Sequence, residues 1–216
     1  MAEKSVLAAI KQLKRPVFRT SEIAVCCGKT LSNTTQTLNY LEKDGVIFKI
    51  TRGIWGLDIG RNKLSPYSII PFLLPGNRAY VSFISALHLY GIIEQIPQAI
   101  TLASTIHTRT IKTKVCTFFV HKITPSFFKG FDWYMGRGDF LIAEPEKALI
   151  DCLYLSARKK RQFGYFPELH FPKTFSFQKA RYWVDEIHDA KIHFSVQEKL
   201  KALLKTSIKI NKKDLL

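Results

Sequence analysis

Residues 30–57 read TLSNTTQTLNYLEKDGVIFKITRGIWGL, and this stretch changes halfway from a helical pattern to a strand pattern. In the first half, apolar residues and one threonine recur at intervals of three or four, which predicts a helix with one inward face. The predicted inward residues are Leu31, Thr34, Leu38 and Leu41. Thr30 is a suitable N-cap for this helix, and Gly45 is expected to end it.

The second half of the stretch predicts a β-hairpin. β-Branched and aromatic residues flank the tripeptide Thr51-Arg52-Gly53 on both sides, and a glycine in the turn can adopt a positive φ. The hairpin would follow the helix directly, with Gly45 between them.

Two shorter helices are predicted upstream. Apolar residues from Val6 to Leu13 recur at helical spacing, so a first helix should end before Pro16. A second helix, capped by Thr20 or Ser21, should end at Gly28. Three helices followed by a two-stranded hairpin is the order of a winged helix-turn-helix, and we predict that module at the N-terminus.

The composition changes near residue 58. Of the 16 phenylalanines only Phe18 and Phe48 precede this point, and residues 58–66 read DIGRNKLSP, which is typical of a linker. We therefore predict two domains: residues 1–64, the winged helix-turn-helix with its linker, and residues 65–216.

The second domain is predicted to mix helices and strands. Helices are expected at 69–74, 79–89, 178–187 and 195–204 and after Pro145, and strands at 100–104, 115–123, 131–135 and 139–143. The predicted fold class of the whole chain is therefore α+β.

The predicted third helix turns short polar side chains away from its inward face. Such side chains at the N-terminal end of a helix can reach base edges in the major groove, and Asn or Gln can form two hydrogen bonds with adenine. A solvated polar face is the alternative, but the neighbouring helix and hairpin favour DNA contact. The predicted DNA-binding residues are Ser32, Asn33, Gln36 and Tyr40 on the helix, Lys49 and Arg52 in the hairpin, and Arg19, Thr20 and Lys29 for the phosphate backbone.

The charge of the chain also favours nucleic acid as a partner. Lys and Arg number 33 against 17 Asp and Glu, a net charge of +16, of which residues 1–57 carry 9 − 4 = +5. The densest basic cluster is Arg158, Lys159, Lys160 and Arg161, followed by the aromatic residues Phe163, Tyr165 and Phe166. This cluster either binds nucleic acid, with the aromatic rings stacking on unpaired bases, or is a solvated helix end.

An enzyme is a weaker interpretation. Acidic residues and a lysine that could serve a metal-dependent nuclease are Asp132, Asp139, Glu144, Glu146 and Lys147. Their spacing is poor, and a helix N-terminus explains the two glutamates. The four cysteines lack the spacing of a zinc site, and no phosphate loop or hydrolase motif occurs, so we expect neither an enzyme nor a cofactor or metal.

No uninterrupted apolar stretch approaches the roughly 20 residues of a membrane span. The N-terminal residues MAEKSVLAAIKQLKR do not resemble a secretory signal. We therefore expect a cytoplasmic protein with no membrane partner.

Three motifs together resemble a known family. LEKDGVIFKITRGIWGL at 41–57, YVSFISALHLYGIIEQIP at 80–97 and IAEPEKALIDCLYL at 142–155 are similar to the AbiEi-type antitoxins and transcriptional regulators of type IV toxin-antitoxin, or abortive infection, systems. The resemblance implies a winged-helix domain that represses its own operon and a second domain that counteracts a nucleotidyltransferase-like toxin. The basic cluster at 158–161 would then be a candidate toxin-related surface of the second domain. In such systems the antagonism need not involve a stable protein complex. An RNA-binding module and a nucleic-acid-processing enzyme remain alternatives.

Overall fold

The protein, described here from a computed structural model, combines helices and strands, and the predicted α+β class is confirmed. The structure describes residues 4–58, 64–74, 76, 78–134, 140–158, 163 and 166–213, with side chains up to residue 205. The chain divides into two compact units. The first comprises residues 1–76, 110–117 and 135–140, and the second comprises 77–109, 118–134 and 141–216. The first unit thus extends beyond the predicted linker.

The first unit contains short helices and one small antiparallel sheet. Its elements up to residue 76 are α1 (Val6–Gln12), β1 (Val17–Arg19), α2 (Thr20–Cys27), α3 (Leu31–Lys43), β2 (Ile47–Thr51), β3 (Ile54–Leu57), a 3-10 helix (Pro66–Ile69) and α4 (Ile70–Leu73). The strand order is β1-β3-β2. The core beneath the helices includes Ile10, Phe18, Ile23, Leu38 and Trp55.

The predicted third helix is confirmed as α3. The Thr30 hydroxyl accepts a hydrogen bond from the Asn33 amide at 3.2 Å, as expected of an N-cap. Thr34 and Leu38 are buried, and Leu41 packs against the core. Leu31, however, is 58% exposed, so its predicted inward position is wrong. The packed stripe of α3 begins only at Thr34, one turn later.

The hairpin is also confirmed, but the strand that completes its sheet was not predicted. β2 and β3 pair around a turn in which Gly53 has φ +75°. β1 pairs with β3 along its three residues. The N-cap of α2 is Arg19, the last residue of β1, rather than Thr20 or Ser21. The Glu22 side chain reaches back and accepts a hydrogen bond from the Arg19 amide at 2.7 Å.

The remaining elements are the strands of a mixed sheet and the helices that connect or follow them. They are β4 (Ala79–Val81), α5 (Phe83–Leu89), β5 (Ile100–Ser104), β6 (Arg109–Lys112), β7 (Thr117–Lys122), a 3-10 helix (Pro125–Phe127), β8 (Phe131–Trp133), β9 (Leu141–Ala143), α6 (Pro145–Ala157), α7 (Phe177–Asp185) and α8 (Ala190–Lys213). Within the second unit the strand order is β7-β5-β4-β9-β8. β5 runs parallel to β7 and β4 runs parallel to β9, whereas the other pairs are antiparallel.

The helix predicted over residues 79–89 is wrong in its first turn. Tyr80 and Val81 form a strand that pairs with β5 opposite Ala103 and Leu102. Phe83 has φ +58°, which interrupts a regular helical path and lets the chain turn into α5. The apolar residues at the start of this segment are buried by sheet pairing, so apolar content by itself did not distinguish strand from helix.

Helix α6 is the central helix of the second unit. Pro145 occupies its first position as predicted, and every residue from Glu146 to Leu155 is buried. This includes the predicted inward stripe of Ala148, Leu149, Cys152 and Leu155. Because α6 is buried on all sides, its polar residues must find partners inside the protein.

Two polar residues of α6, Lys147 and Asp151, form together with their partners Tyr80 and Ser82 what we call the α6 ion-pair cluster. Lys147 and Asp151 form an ion pair one turn apart, and neither side chain is exposed. Tyr80 and Ser82 donate hydrogen bonds to Asp151 Oδ2 at 3.1 and 2.7 Å. The Lys147 ammonium also lies 3.8 Å from the centre of the Phe127 ring. Burial lowers the pKa of Lys147 and raises the pKa of Tyr80 well above its usual value.

Candidate nucleic-acid interface

The side of α3 opposite its packed stripe carries polar side chains in a continuous row. We call this surface the α3 outer face; its residues, all exposed, are Ser32, Asn33, Gln36, Asn39, Tyr40 and Lys43. Asn39 and Lys43 were not predicted. They continue the row from Ser32 and Gln36 at intervals of three and four, so the same helical spacing could have identified them.

The hydrogen-bonding groups of this face are not used within the described part of the protein. Thr34, Thr35 and Thr37 donate their hydroxyls to backbone carbonyls four residues earlier, at 2.7 to 3.0 Å. Ser32 and Gln36, in contrast, make no side-chain hydrogen bond to any described residue. The threonines therefore serve the helix, while the outer face keeps free donors and acceptors.

Positive charge predominates next to the α3 outer face. Glu42 accepts hydrogen bonds from the Lys49 amide and the Lys114 ammonium, both at 3.1 Å. The Lys49 amide, together with Lys114, holds the pKa of the Glu42 carboxyl below its usual value. Lys43 lies 5.6 Å from the centre of the Tyr40 ring and pairs with no carboxylate of the described residues. The negative charge of Glu42 is thus compensated by Lys114, whereas Lys43 has no described acidic partner.

The hairpin presents one free cation and one that packs on the protein. Arg52 is exposed in the turn, directly before Gly53, and no described carboxylate pairs with it. Lys49 is half-buried, with its ammonium 5.4 Å from the centre of the Trp55 ring. Arg52 is therefore the better placed of the two for contact with a phosphate or a groove.

Two residues that were predicted to contact the phosphate backbone of DNA, Arg19 and Thr20, have structural roles inside the protein instead. The Arg19 guanidinium donates to the carbonyls of Pro71 and Phe72 at 3.2 and 3.0 Å. Thr20 is only 7% exposed, and its hydroxyl accepts a hydrogen bond from the Trp55 indole at 2.9 Å. We therefore remove both residues from the candidate surface. Lys29, half-buried after the C-cap Gly28, stays a predicted contact.

The second predicted basic patch is described only in part. Arg158 is exposed and its guanidinium lies 4.7 Å from the centre of the Tyr154 ring. The other predicted members of this patch, Lys159, Lys160, Arg161 and Tyr165, lie outside the described residues. Phe163 is buried against Phe83 and His121, with ring centres 5.1 Å apart in each pair, so its ring is not exposed for stacking on unpaired bases.

The acidic residues considered for metal chemistry have local partners. Glu146 is buried and accepts a hydrogen bond from the Ser176 amide at 2.7 Å, and Glu144 pairs with Lys179 at 3.1 Å. Asp132 accepts from the Trp133 amide at 2.7 Å, and Asp139 lies outside the described residues. Within the described ranges, no three His, Cys, Asp or Glu side chains are grouped so that they could hold a metal ion.

No described helix is both long and apolar enough to cross a membrane. Neither the protein-family models nor the curated proteins compared with this chain give a match. The resemblance to the AbiEi-type family rests on the three motifs quoted above, two of which contain members of the α6 ion-pair cluster.

Proposed function

We propose that this protein is a sequence-specific regulator that binds double-stranded DNA, and that residues 1–57 act as a winged helix-turn-helix. The observation that carries the proposal is the α3 outer face, where exposed hydroxyl and amide groups at the N-terminal end of a helix have no partner among the described residues. A major groove accommodates one α-helix and offers donors and acceptors for such groups. The order of helices, strands and hairpin in this unit supports the same interpretation.

In the proposed complex, α3 lies in the major groove and the hairpin reaches the adjacent backbone or minor groove. Asn33 and Gln36 have amides that can form two hydrogen bonds with adenine. Lys43 and Arg52 supply positive charge for phosphates, without a described acidic partner to compete. Ser32 contributes a hydroxyl that can adapt to several bases.

We further propose that the protein represses its own operon and acts as the antitoxin against a nucleotidyltransferase-like toxin. This step rests on the resemblance to AbiEi-type regulators. Glu146, Lys147 and Asp151 of the motif at 142–155 are buried, so their role is to build the second unit. A surface that counteracts a toxin would consist of other residues of that unit.

A binding experiment with the full-length protein tests the DNA-binding proposal. Duplexes covering the region upstream of its own gene would be titrated with wild type, with Gln36→Ala and with Gln178→Ala, the same substitution at an exposed position of α7. We expect Gln36→Ala to lose binding to one specific duplex and Gln178→Ala to bind like wild type. If no duplex is preferred over random DNA by the wild type, the proposal is wrong.

A growth assay tests the antitoxin proposal. The wild-type protein and the Gln36→Ala variant would each be expressed together with an adjacent nucleotidyltransferase-like gene product, beside a reporter driven by the protein's own promoter. We expect both to protect growth, while only the wild type represses the reporter. Absence of protection by the wild type would contradict the antitoxin role and leave the DNA-binding role to the titration.

A further inference from the structure

Leu31 is the first residue of α3, and its side chain is 58% exposed. It directly precedes Ser32 and Asn33 of the α3 outer face and follows the N-cap Thr30. The first turn of a recognition helix is the part that reaches base edges. An aliphatic side chain is thus exposed in the turn that carries two of the free hydrogen-bonding groups.

The surroundings of Leu31 indicate which chemistry could cover it. Amides and hydroxyls follow Leu31 on the same helix. Lys43, at the other end of α3, and Arg52, in the hairpin, add positive charge to the proposed interface without a described acidic partner, which complements a polyanion. Among the groups displayed in the major groove, the one suited to an aliphatic side chain is the C5 methyl of thymine. The amides of Asn33 and Gln36 lie on the other side of the helix and suit adenines at other positions of the same site.

We propose that Leu31 contacts the C5 methyl of a thymine in the DNA site and thereby selects thymine over cytosine at that position. This inference rests on the proposed DNA-binding function and adds a specificity-determining residue to it. The contact removes the Leu31 side chain and the thymine methyl group from water. It also gives a reason for an aliphatic residue at this position, since Leu31 does not belong to the core.

Replacement of thymine by deoxyuridine tests the contact, because it removes only the methyl group. Duplexes would first be enriched from a random pool with the full-length wild-type protein. In one enriched duplex each thymine is then changed singly to deoxyuridine, and the affinities of wild type, Leu31→Ala and Val25→Ala are measured. Val25 is the matched control, because it is also an exposed aliphatic residue, 82% exposed, on the neighbouring helix α2.

We expect one thymine whose replacement weakens wild-type and Val25→Ala binding by about three- to tenfold and leaves Leu31→Ala binding unchanged. The fold of each variant would be checked by its unfolding midpoint, which should not change, since both side chains lie outside the core. If every replacement affects Leu31→Ala as it affects wild type, the thymine contact is wrong while DNA binding stands. If no duplex is enriched at all, the proposed function fails together with this inference.

Discussion

Helices α3 and α6 each contain 13 residues and both carry polar side chains among apolar ones, yet they use them in opposite ways. On α3 the polar residues of the outer face are exposed and unpaired within the described structure. On α6 the charged residues Lys147 and Asp151 are completely buried and satisfied by each other, by Tyr80 and by Ser82. A polar residue in a helix therefore suggests recognition only where the fold leaves it without a partner.

The energetic consequences of the two arrangements also differ. Burying an ion pair costs desolvation energy, and removing one partner leaves an uncompensated charge in the interior. An exposed side chain, in contrast, costs little to lose. Substitutions in the α6 ion-pair cluster should therefore change stability, whereas substitutions on the α3 outer face should change binding.

The largest expected effect is on unfolding. Lys147→Ala leaves Asp151 buried without its cation and should lower the free energy of unfolding by about 3–5 kcal/mol. Urea denaturation of the full chain measures this. Lys43→Ala is the control, because Lys43 is exposed, and it should stay within about 0.5 kcal/mol of wild type. Similar stabilities for both variants would contradict the distinction drawn between the helices.

The next effect concerns specific binding. Asn33→Ala and Gln36→Ala should each lose about 1–3 kcal/mol on the preferred duplex and little on random DNA, because base contacts carry the sequence preference. Fluorescence anisotropy titrations on both duplexes measure the difference, and the unfolding midpoints should match wild type. Equal losses on the two duplexes would mean that these amides do not read bases.

The salt dependence of binding should separate phosphate contacts from base contacts. If Arg52 and Lys43 each neutralise one phosphate, Arg52→Ala and Lys43→Ala should each lower the slope of log affinity against log salt by about one unit. Lys173→Ala, at an exposed lysine of the second unit, is the control and should leave the slope unchanged. A slope altered by Lys173→Ala but by neither of the others would assign the electrostatic contact to the second unit.

The smallest expected effect is a pH dependence in the second unit. The Tyr90 hydroxyl donates to the Ala143 carbonyl at 3.0 Å, and burial raises the pKa of Tyr90 to about 12. Since the unfolded tyrosine ionises near pH 10, the folded state binds more protons between these values. The contribution of Tyr90 is then complete below pH 10 and is lost as the pH rises towards 12.

Comparison of wild type with Tyr90→Phe isolates this contribution. The wild type should be more stable by about 1 kcal/mol at pH 9, and this advantage should fall by at most about 1 kcal/mol towards pH 12, because the partly exposed phenol is screened by solvent. Urea denaturation of both proteins at each pH measures it. An advantage that is constant across this range would mean that the phenol is not held in its neutral form by the fold.

Elements that depend on near neighbours could be predicted from sequence. Thr30 caps α3 because its hydroxyl reaches an amide three residues away, and Gly53 suits the hairpin because its own φ is positive. Strands β1 and β4 could not be predicted in this way. Each has three residues, too few to show an alternating pattern, and each exists through pairing with a strand 21 or more positions away along the chain.

The candidate site, like the fold, was predictable only where residues close in sequence decide the structure. The helical period places Ser32, Asn33 and Gln36 on one side of α3 whatever packs on the other. The role of Arg19 depends on the Phe72 carbonyl and the role of Thr20 depends on the Trp55 indole, and only folding brings each pair together. The sequence places both residues beside a helix start but holds no local sign of these distant partners.

The chain's own pattern was thus sufficient for α3, its cap, the hairpin and the α+β class, because helical and strand periods and turn geometry act over a few residues. Packing decided that Leu31 is exposed, that Phe163 is buried and that Lys147 lies in the interior beside Asp151. Tyr80 and Ser82 are 71 and 69 positions from Asp151, so only the folded chain brings them to its carboxylate. Whether a polar side chain is free or satisfied depends on such distant contacts, since burial is a property of the packed protein and not of the residue.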